Sequence, residues 1–251
     1  MSLKQRMANG ERLVSTFIKT PAYEVIEVLA KSGLDFVILD AEHSSFDRAR
    51  LDQCLAMARA LDFPVLVRVP NSEPSSILQA LDSGAVGVVV PHVDSVEKAS
   101  RIAKSARFGH GGRGFAGSTR WAGFATRKMD DILAQSNTET IVVVQIEEPE
   151  GVDAADDIAA IDGVDALFVG PADLAVCYGV ADPASKVVRD AIGQSGKACK
   201  KYGKSLVTFA PNAEWAPALV ALGVNAFCVA SEHAFMLQTA RAVTVDIKAV
   251  T

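Results

Sequence analysis

Two short β-branched runs in this chain each end by presenting a carboxylate. The stretch VVVQIEEPEG, residues 142–151, delivers Glu147, and ALFVGPADL, residues 166–174, delivers Asp173 just past its apolar part. If these runs are neighbouring parallel strands, both acids reach one rim of a sheet, where an oxygen-preferring divalent cation fits between them. Strand residues two apart share a face, so Gln145 and Glu147 point one way while Ile146 and Glu148 point the other. Glu147 is therefore the expected metal ligand, with Gln145 facing the same interior. Mg²⁺ or Mn²⁺ suits two carboxylates completed by water and substrate oxygens. A structural reading stands beside this one, in which Glu147 pairs with Arg68 across the sheet and Asp173 caps the helix that follows.

Other strand ends are also polar. LDAEH delivers Asp40, Glu42 and His43, and VLVRVP delivers Arg68 at the end of an otherwise apolar run. A guanidinium there must meet an anion, and either a substrate carboxylate or Glu147 could supply it. His43, with Asp40 and Glu42 close enough to orient it, reads as a general base, against the plainer reading of a surface histidine. His92 ends the fourth run and is expected to line the pocket; like His110 and His233, it lacks the spacing of a histidine zinc site. No GxSxG elbow is present, and none of the candidate strands contains a Lys, which argues against serine or Schiff-base catalysis.

Positioning these groups requires a parallel sheet. Apolar runs alternate with longer helical patterns along the whole chain. The strand candidates are 13–18, 36–39, 65–69, 86–90, 141–146, 166–169, 205–209 and 226–229. Amphipathic stretches such as DRARLDQCLAMARALD and SVEKASRIAKSAR lie between them, and Gly33, Gly84 and Gly223 stand where helices should stop. Eight βα units predict a closed (β/α)8 TIM barrel, α/β in class, rather than an open doubly wound sheet, and no GxGxxG opens a helix after the first strand. Residues 108–127 form the one long connection, with six glycines and three arginines, and read as an active-site cover or subunit contact.

The 251 residues match the ~250 typical of a single barrel domain spanning 1–251. A hydrophobic fraction of 49% with 6% aromatics predicts an aliphatic core. The net charge of −5, without a basic run, gives no footprint for nucleic acid or an anionic membrane. Cys54, Cys177, Cys199 and Cys228 lack CxxC spacing and read as reduced thiols, and no apolar run is long enough to span a bilayer, so a cytoplasmic location is expected.

The stretches DFVILDAEHSSFD, PVLVRVP, LDSGAVGVVVPHVDSVEKA, VVVQIEEPEGV and ALFVGPADL together resemble the HpcH/HpaI aldolases. These are metal-dependent class II pyruvate aldolases of the phosphoenolpyruvate/pyruvate barrel superfamily. The resemblance covers most of the chain, and QxE followed by GPADL is its most specific part. It implies Glu147 and Asp173 as metal ligands for Mg²⁺ or Mn²⁺, with Co²⁺ possible, and Arg68 as the group that holds the keto acid and its enolate. It implies His43 as catalytic base with Asp40 as its partner, Gln145 in the same site, and Gly170 and Ala172 as backbone positions near the substrate carboxylate. Asp82 matches an acid brought to a neighbouring subunit's site. A homo-oligomer is thereby implied, commonly a hexamer, with the C-terminal helix packing on a neighbour. The implied reaction cleaves a 4-hydroxy-2-oxo acid to pyruvate and an aldehyde. Citrate-lyase-like acyl-CoA cleavage and a non-catalytic keto-acid-binding barrel are the alternatives. RGFAGSTRWAGF and the Glu232–His233 pair depart from the family pattern and bear on the aldehyde half.

Overall fold

The computed structural model describes residues 1–250; Thr251, the last residue of the expected domain, lies outside the described residues. Eight parallel strands close a barrel in sequence order: β1 Leu13–Ile18, β2 Val37–Asp40, β3 Val65–Arg68, β4 Gly87–Val90, β5 Ile141–Ile146, β6 Ala166–Val169, β7 Ser205–Ala210 and β8 Ala226–Ser231. All eight expected strands are present, with ends moved by at most two residues. The (β/α)8 barrel read from the alternation is the observed fold.

Side-chain alternation builds the two layers. Phe17, Ile38, Leu66, Val89, Val143, Phe168, Val207 and Cys228 fill the barrel interior. Their strand neighbours Val37, Leu39, Val67, Val88, Val142, Val144, Leu167 and Val169 pack outward against the helices. The strands are buried on both faces, which is why they read as continuous apolar runs. Gly84 and Gly223, at φ 114° and 97°, stand at helix ends in the left-handed conformation that glycine adopts most cheaply. The helix before Gly33 already stops at Ala30, and Gly33, at φ 85°, belongs to the turn that follows.

Two elements were not expected from the sequence. A helix over Leu3–Ala8, capped by a reciprocal Ser2/Gln5 box, pushes Leu3 and Met7 into the interior cluster and plugs the N-terminal end of the barrel. Where β8 meets β1 the register slips, Ser15 facing Cys228 while Phe17 faces Ser231, so β8 carries one extra residue. Ala230, at φ 51°, absorbs the bulge and turns Ser231 toward the interior.

The long connection is pinned rather than free. Arg113 is buried, with its guanidinium 4.4 Å from the Phe108 ring centroid and 5.0 Å from that of Trp121. It donates to Asp82 through Nη2 at 2.5 Å and Nε at 3.2 Å.

Candidate active site

Continuing each strand's inward alternation to its C-terminal end gives the site. Ile38 leads to Asp40, Leu66 to Arg68, Val143 to Gln145 and Glu147, Phe168 to Gly170, and Phe17 to Lys19. A cavity of about 370 Å³ opens at this mouth, lined among others by Lys19, Arg68, Gln145, Gly170, Ala172 and Asp173. That volume lies at the small end of the ~300–1,000 Å³ range of ligand sites. Phe17 and Phe168, stacked with centroids 5.9 Å apart, form its floor.

Glu147 and Asp173 converge as their spacing predicted. A Cβ placed on Gly170 would lie 3.3 Å from Glu147 Oε2 and 3.3 Å from Asp173 Oδ2, so the two carboxylates face a gap that only glycine leaves open. Gln145 Nε2 donates to Glu147 Oε2 at 2.5 Å, while Gln145 Oε1 is buried with no partner among the described residues. Burial pushes the Glu147 carboxyl up to about 7; the His92 amide and ring oppose this, and the nearby Asp173 and Glu42 charges reinforce it. Two hard carboxylates and an orphaned amide oxygen, one acid destabilised by burial, form a donor set that fits a divalent cation. Asp173 sits in the first turn of the helix Pro171–Cys177, whose cap residue is Gly170. Ala172 is exposed in that turn, beside the same gap.

Arg68 corrects the expected pairing. Its guanidinium forks onto Asp40, Nε to Oδ1 at 2.9 Å and Nη2 to Oδ2 at 2.7 Å, with Glu42 Oε2 3.3 Å from Nε. Glu147, the protein anion offered from the sequence, is not its partner; strands β2 and β3 place Asp40 and Arg68 side by side in register, and that adjacency decides. The guanidinium also lies 4.4 Å over the Phe17 ring, and no hydrogen bond among the described residues uses Nη1. Burial alone would raise Asp40, but Arg68 holds it below the usual carboxylate range.

The Asp40–His43 partnership also differs from expectation. Asp40 Oδ1 accepts from the backbone amides of Glu42 and His43, at 3.2 and 3.1 Å, while the His43 ring stands exposed with Nε2 3.7 Å from Glu42 Oε2. Arg68 takes the carboxylate that was assigned to the imidazole. Asp82 ends the helix Pro74–Ser83, which runs away from the mouth, and its carboxylate is held by Arg113. This chain therefore does not bring Asp82 to the cluster.

Three groups take more part in the site than the sequence assigned them, His92 and Glu42 beyond their expected places at the mouth and Lys19 without having been expected at all. His92, in a left-handed conformation at φ 55°, donates its amide to Glu147 Oε1 at 2.7 Å. Its Nδ1 lies 2.7 Å from Glu148 and 3.1 Å from Glu147, and its Nε2 lies 3.4 Å from Glu42. His92, Glu147 and Glu148 offer ligand atoms within 4.8 Å of one another, a second set able to hold a metal. The all-oxygen pair of Glu147 and Asp173 is the better match to Mg²⁺ or Mn²⁺, because a proton on His92 already satisfies Glu148. Burial works against that proton, but the Glu148 hydrogen bond and the Glu147 charge outweigh it and raise the imidazole. Glu42 joins Arg68, His43 and His92. Lys19 reaches the interior face from the residue just after β1, so the absence of lysine within the strands did not mean its absence from the mouth.

A family model described as HpcH/HpaI aldolase/citrate lyase matches residues 14–237. The chain belongs to that family. It is 39% identical over 207 residues to a 5-keto-4-deoxy-D-glucarate aldolase of Salmonella paratyphi C, covering 78% of this chain and 80% of the relative. A hydroxypyruvate/pyruvate aldolase of Roseovarius nubinhibens is 30% identical over 237 residues, covering 91% and 92%. Among solved structures, a family member from Burkholderia cenocepacia J2315 superposes with a TM-score of 0.92 at 32% identity, covering 98% of this chain and 99% of that one. No helix of the described residues is long and apolar enough to cross a membrane.

Proposed function

We propose that this chain is a divalent-metal-dependent aldolase that reversibly cleaves a 4-hydroxy-2-oxo acid to pyruvate and an aldehyde. The observation that carries the reading is the convergence of Glu147 and Asp173 on the gap at Gly170, beside the unpaired oxygen of Gln145. Glu147 and Asp173 would hold Mg²⁺ or Mn²⁺, with Co²⁺ a further candidate, and the ion supplies positive charge that stabilises the enolate of a 2-oxo acid.

The chain's own groups account for the remaining steps. The start of the helix Pro171–Cys177 leaves the Ala172 amide without an intrahelical acceptor, suited to a substrate carboxylate. Asp40 and Glu42 fix the Arg68 guanidinium, so Nη1 meets the developing oxyanion without reorganising. In cleavage, His43 takes the proton from the 4-hydroxyl as the C3–C4 bond breaks. The bonding pair passes into the enolate, and protonation at C3 completes pyruvate. Glu42, rather than Asp40, is the carboxylate beside the His43 ring.

The assembly belongs to the same reading. From Met236 to Val250 every residue of the C-terminal segment is exposed, including Met236, Leu237, Val243, Val245 and Ile247, an apolar surface suited to a second copy of this chain. Such a homo-oligomer, a hexamer by resemblance, is the setting in which Asp82 would reach another subunit's site.

Exchange of the pyruvate methyl protons with deuterated water, followed by NMR with Mg²⁺ or Mn²⁺, tests the proposal. Absence of exchange, or exchange that survives Glu147→Gln, would defeat it.

A further inference from the structure

The floor of the barrel, opposite the mouth, concentrates positive charge in a chain whose net charge is −5. A cavity of about 600 Å³ opens there, beside the residues that lead into β5, β6 and β7. Its walls include Lys4, Lys104, Arg107 and Lys204 against two acids, Asp162 and Asp165. Four cations facing two carboxylates leave an excess of two positive charges. A neighbouring cavity shares Lys204 and adds Lys197 and Lys200, with no acid in its lining.

The fold uses only part of what these cations offer. Lys4 Nζ and Arg107 Nη2 converge on a single carboxylate, Asp165, at 2.9 and 3.4 Å, and both donate to the Thr140 carbonyl. Asp165 Oδ2 also accepts from the Val142 amide at 2.8 Å, so that acid has little left to give. Lys204 Nζ donates to the carbonyls of Ile161 and Val164, at 3.4 and 2.7 Å, which are neutral acceptors and leave its charge uncompensated. Arg107 Nη1 is buried with no partner among the described residues. The exposed Lys104 ammonium lies over Gly111, where a Cβ would stand 2.8 Å from it.

Crowding of like charges has a consequence at Lys4. Burial depresses its ammonium below the ordinary lysine range; the Asp165 charge and hydrogen bond oppose this, and the charges of Arg107 and Lys204 add to the depression. Half-buried cations that share one acid carry an electrostatic cost, which a bound anion would remove.

We infer that this cleft is a binding site for a phosphate dianion, free or carried on a small molecule, separate from the catalytic mouth. Phosphate carries a charge of about −1.5 to −2 near neutrality, which matches the local excess, and its oxygens accept from ammonium and guanidinium donors alike. The cavity is larger than phosphate itself, and Ser100 and Asn137 offer neutral polar groups for the organic part of a monoester. Lys4 belongs to the N-terminal helix that plugs the floor, and Lys204 stands just before β7, so a bound dianion ties the plug to the barrel.

The test uses chelator-treated protein, so that no metal draws phosphate to the mouth. Calorimetric titration with sodium phosphate, and in parallel with glycerol 3-phosphate, each at fixed ionic strength, should show one saturable site per chain. Hydrogen exchange should slow on binding in residues 3–8 and 161–165. Lys104→Met should weaken binding about fivefold, the upper range for one exposed charge pair, and Lys104→Glu at least about tenfold. Both variants keep the Lys4 and Arg107 contacts to Asp165, so their melting without ligand should match that of wild type. Lys128→Glu changes the net charge equally at an exposed position outside the cavity and should leave affinity unchanged. Tighter binding of the ester supports a monoester as the ligand, and equal or weaker binding of it supports free phosphate. Failure of both probes to saturate, protection confined to residues 170–173 at the mouth, or equal losses in Lys104→Glu and Lys128→Glu would overturn the inference.

Discussion

Replacing Glu147 with Gln should make the metal-free protein more stable at alkaline pH while removing its response to metal. In the unfolded chain the carboxyl ionises near its ordinary 4.5, but in the folded chain burial keeps it protonated to about 7. The folded state therefore binds more protons between these values, and stability falls as pH rises through that window, levelling above it. At 1.36 kcal/mol per unit, the loss reaches about 3 kcal/mol by pH 8. Gln removes the ionisation. It still accepts from the His92 amide but cannot serve both that donor and Gln145 as the carboxylate does, a loss of about 1 kcal/mol. The net gain is about 2 kcal/mol, roughly 4–8 °C in Tm for a chain of this size. Thermal melts of chelator-treated wild type and variant from pH 5 to 9 should diverge with rising pH, and Mn²⁺ should then raise the Tm of wild type alone. Parallel pH profiles would refute the claim that Glu147 is an uncompensated buried acid. Stabilisation of the variant by Mn²⁺ equal to that of wild type would refute its role as a ligand.

Arg68→Met leaves the fully buried Asp40 with only two backbone amides and the Lys19 ammonium at 3.5 Å. Urea unfolding at pH 7 should then show a loss of about 3 kcal/mol, the low end for breaking a buried pair. Because Arg68 holds Asp40 below its ordinary range, part of wild-type stability is present above the unfolded carboxyl value and lost as pH falls through the folded one, a dependence the variant should lack. Gly170→Ala is tolerated by a backbone at φ −91° but fills the gap between the carboxylates, so Mn²⁺ affinity measured by calorimetry should weaken at least about tenfold while the Tm moves little.

Much of the site was legible because strand alternation is local. Gln145 and Glu147 were separated from Ile146 and Glu148 by a period of two, and the barrel interior bears that out within β5 in Val143 and Ile141 on the same face. Beyond Ile146 the strand ends, and Glu147 and Glu148 both reach the His92 ring. What was not legible involved pairs from different strands. The fork of Arg68 onto Asp40 depends on the register of β2 against β3, which no single strand encodes. Lys19 was passed over because it stands one residue beyond the apolar run, although the alternation through Phe17 carries it to the mouth. His92 was judged by ligand spacing in sequence, whereas its neighbours Glu147 and Glu148 come from the next strand around the barrel.

The sequence by itself determined an eight-unit barrel, the inward face of β5 and two carboxylates on one rim, because hydrophobic period and glycine stops act over a few residues. Only closure of the barrel decided that Asp40 clamps Arg68, that Arg113 holds Asp82, and that Glu232 reaches across a bulge to fix Lys19. Those contacts join residues 28, 31 and 213 positions apart in the chain, and their geometry exists only once the strands have registered.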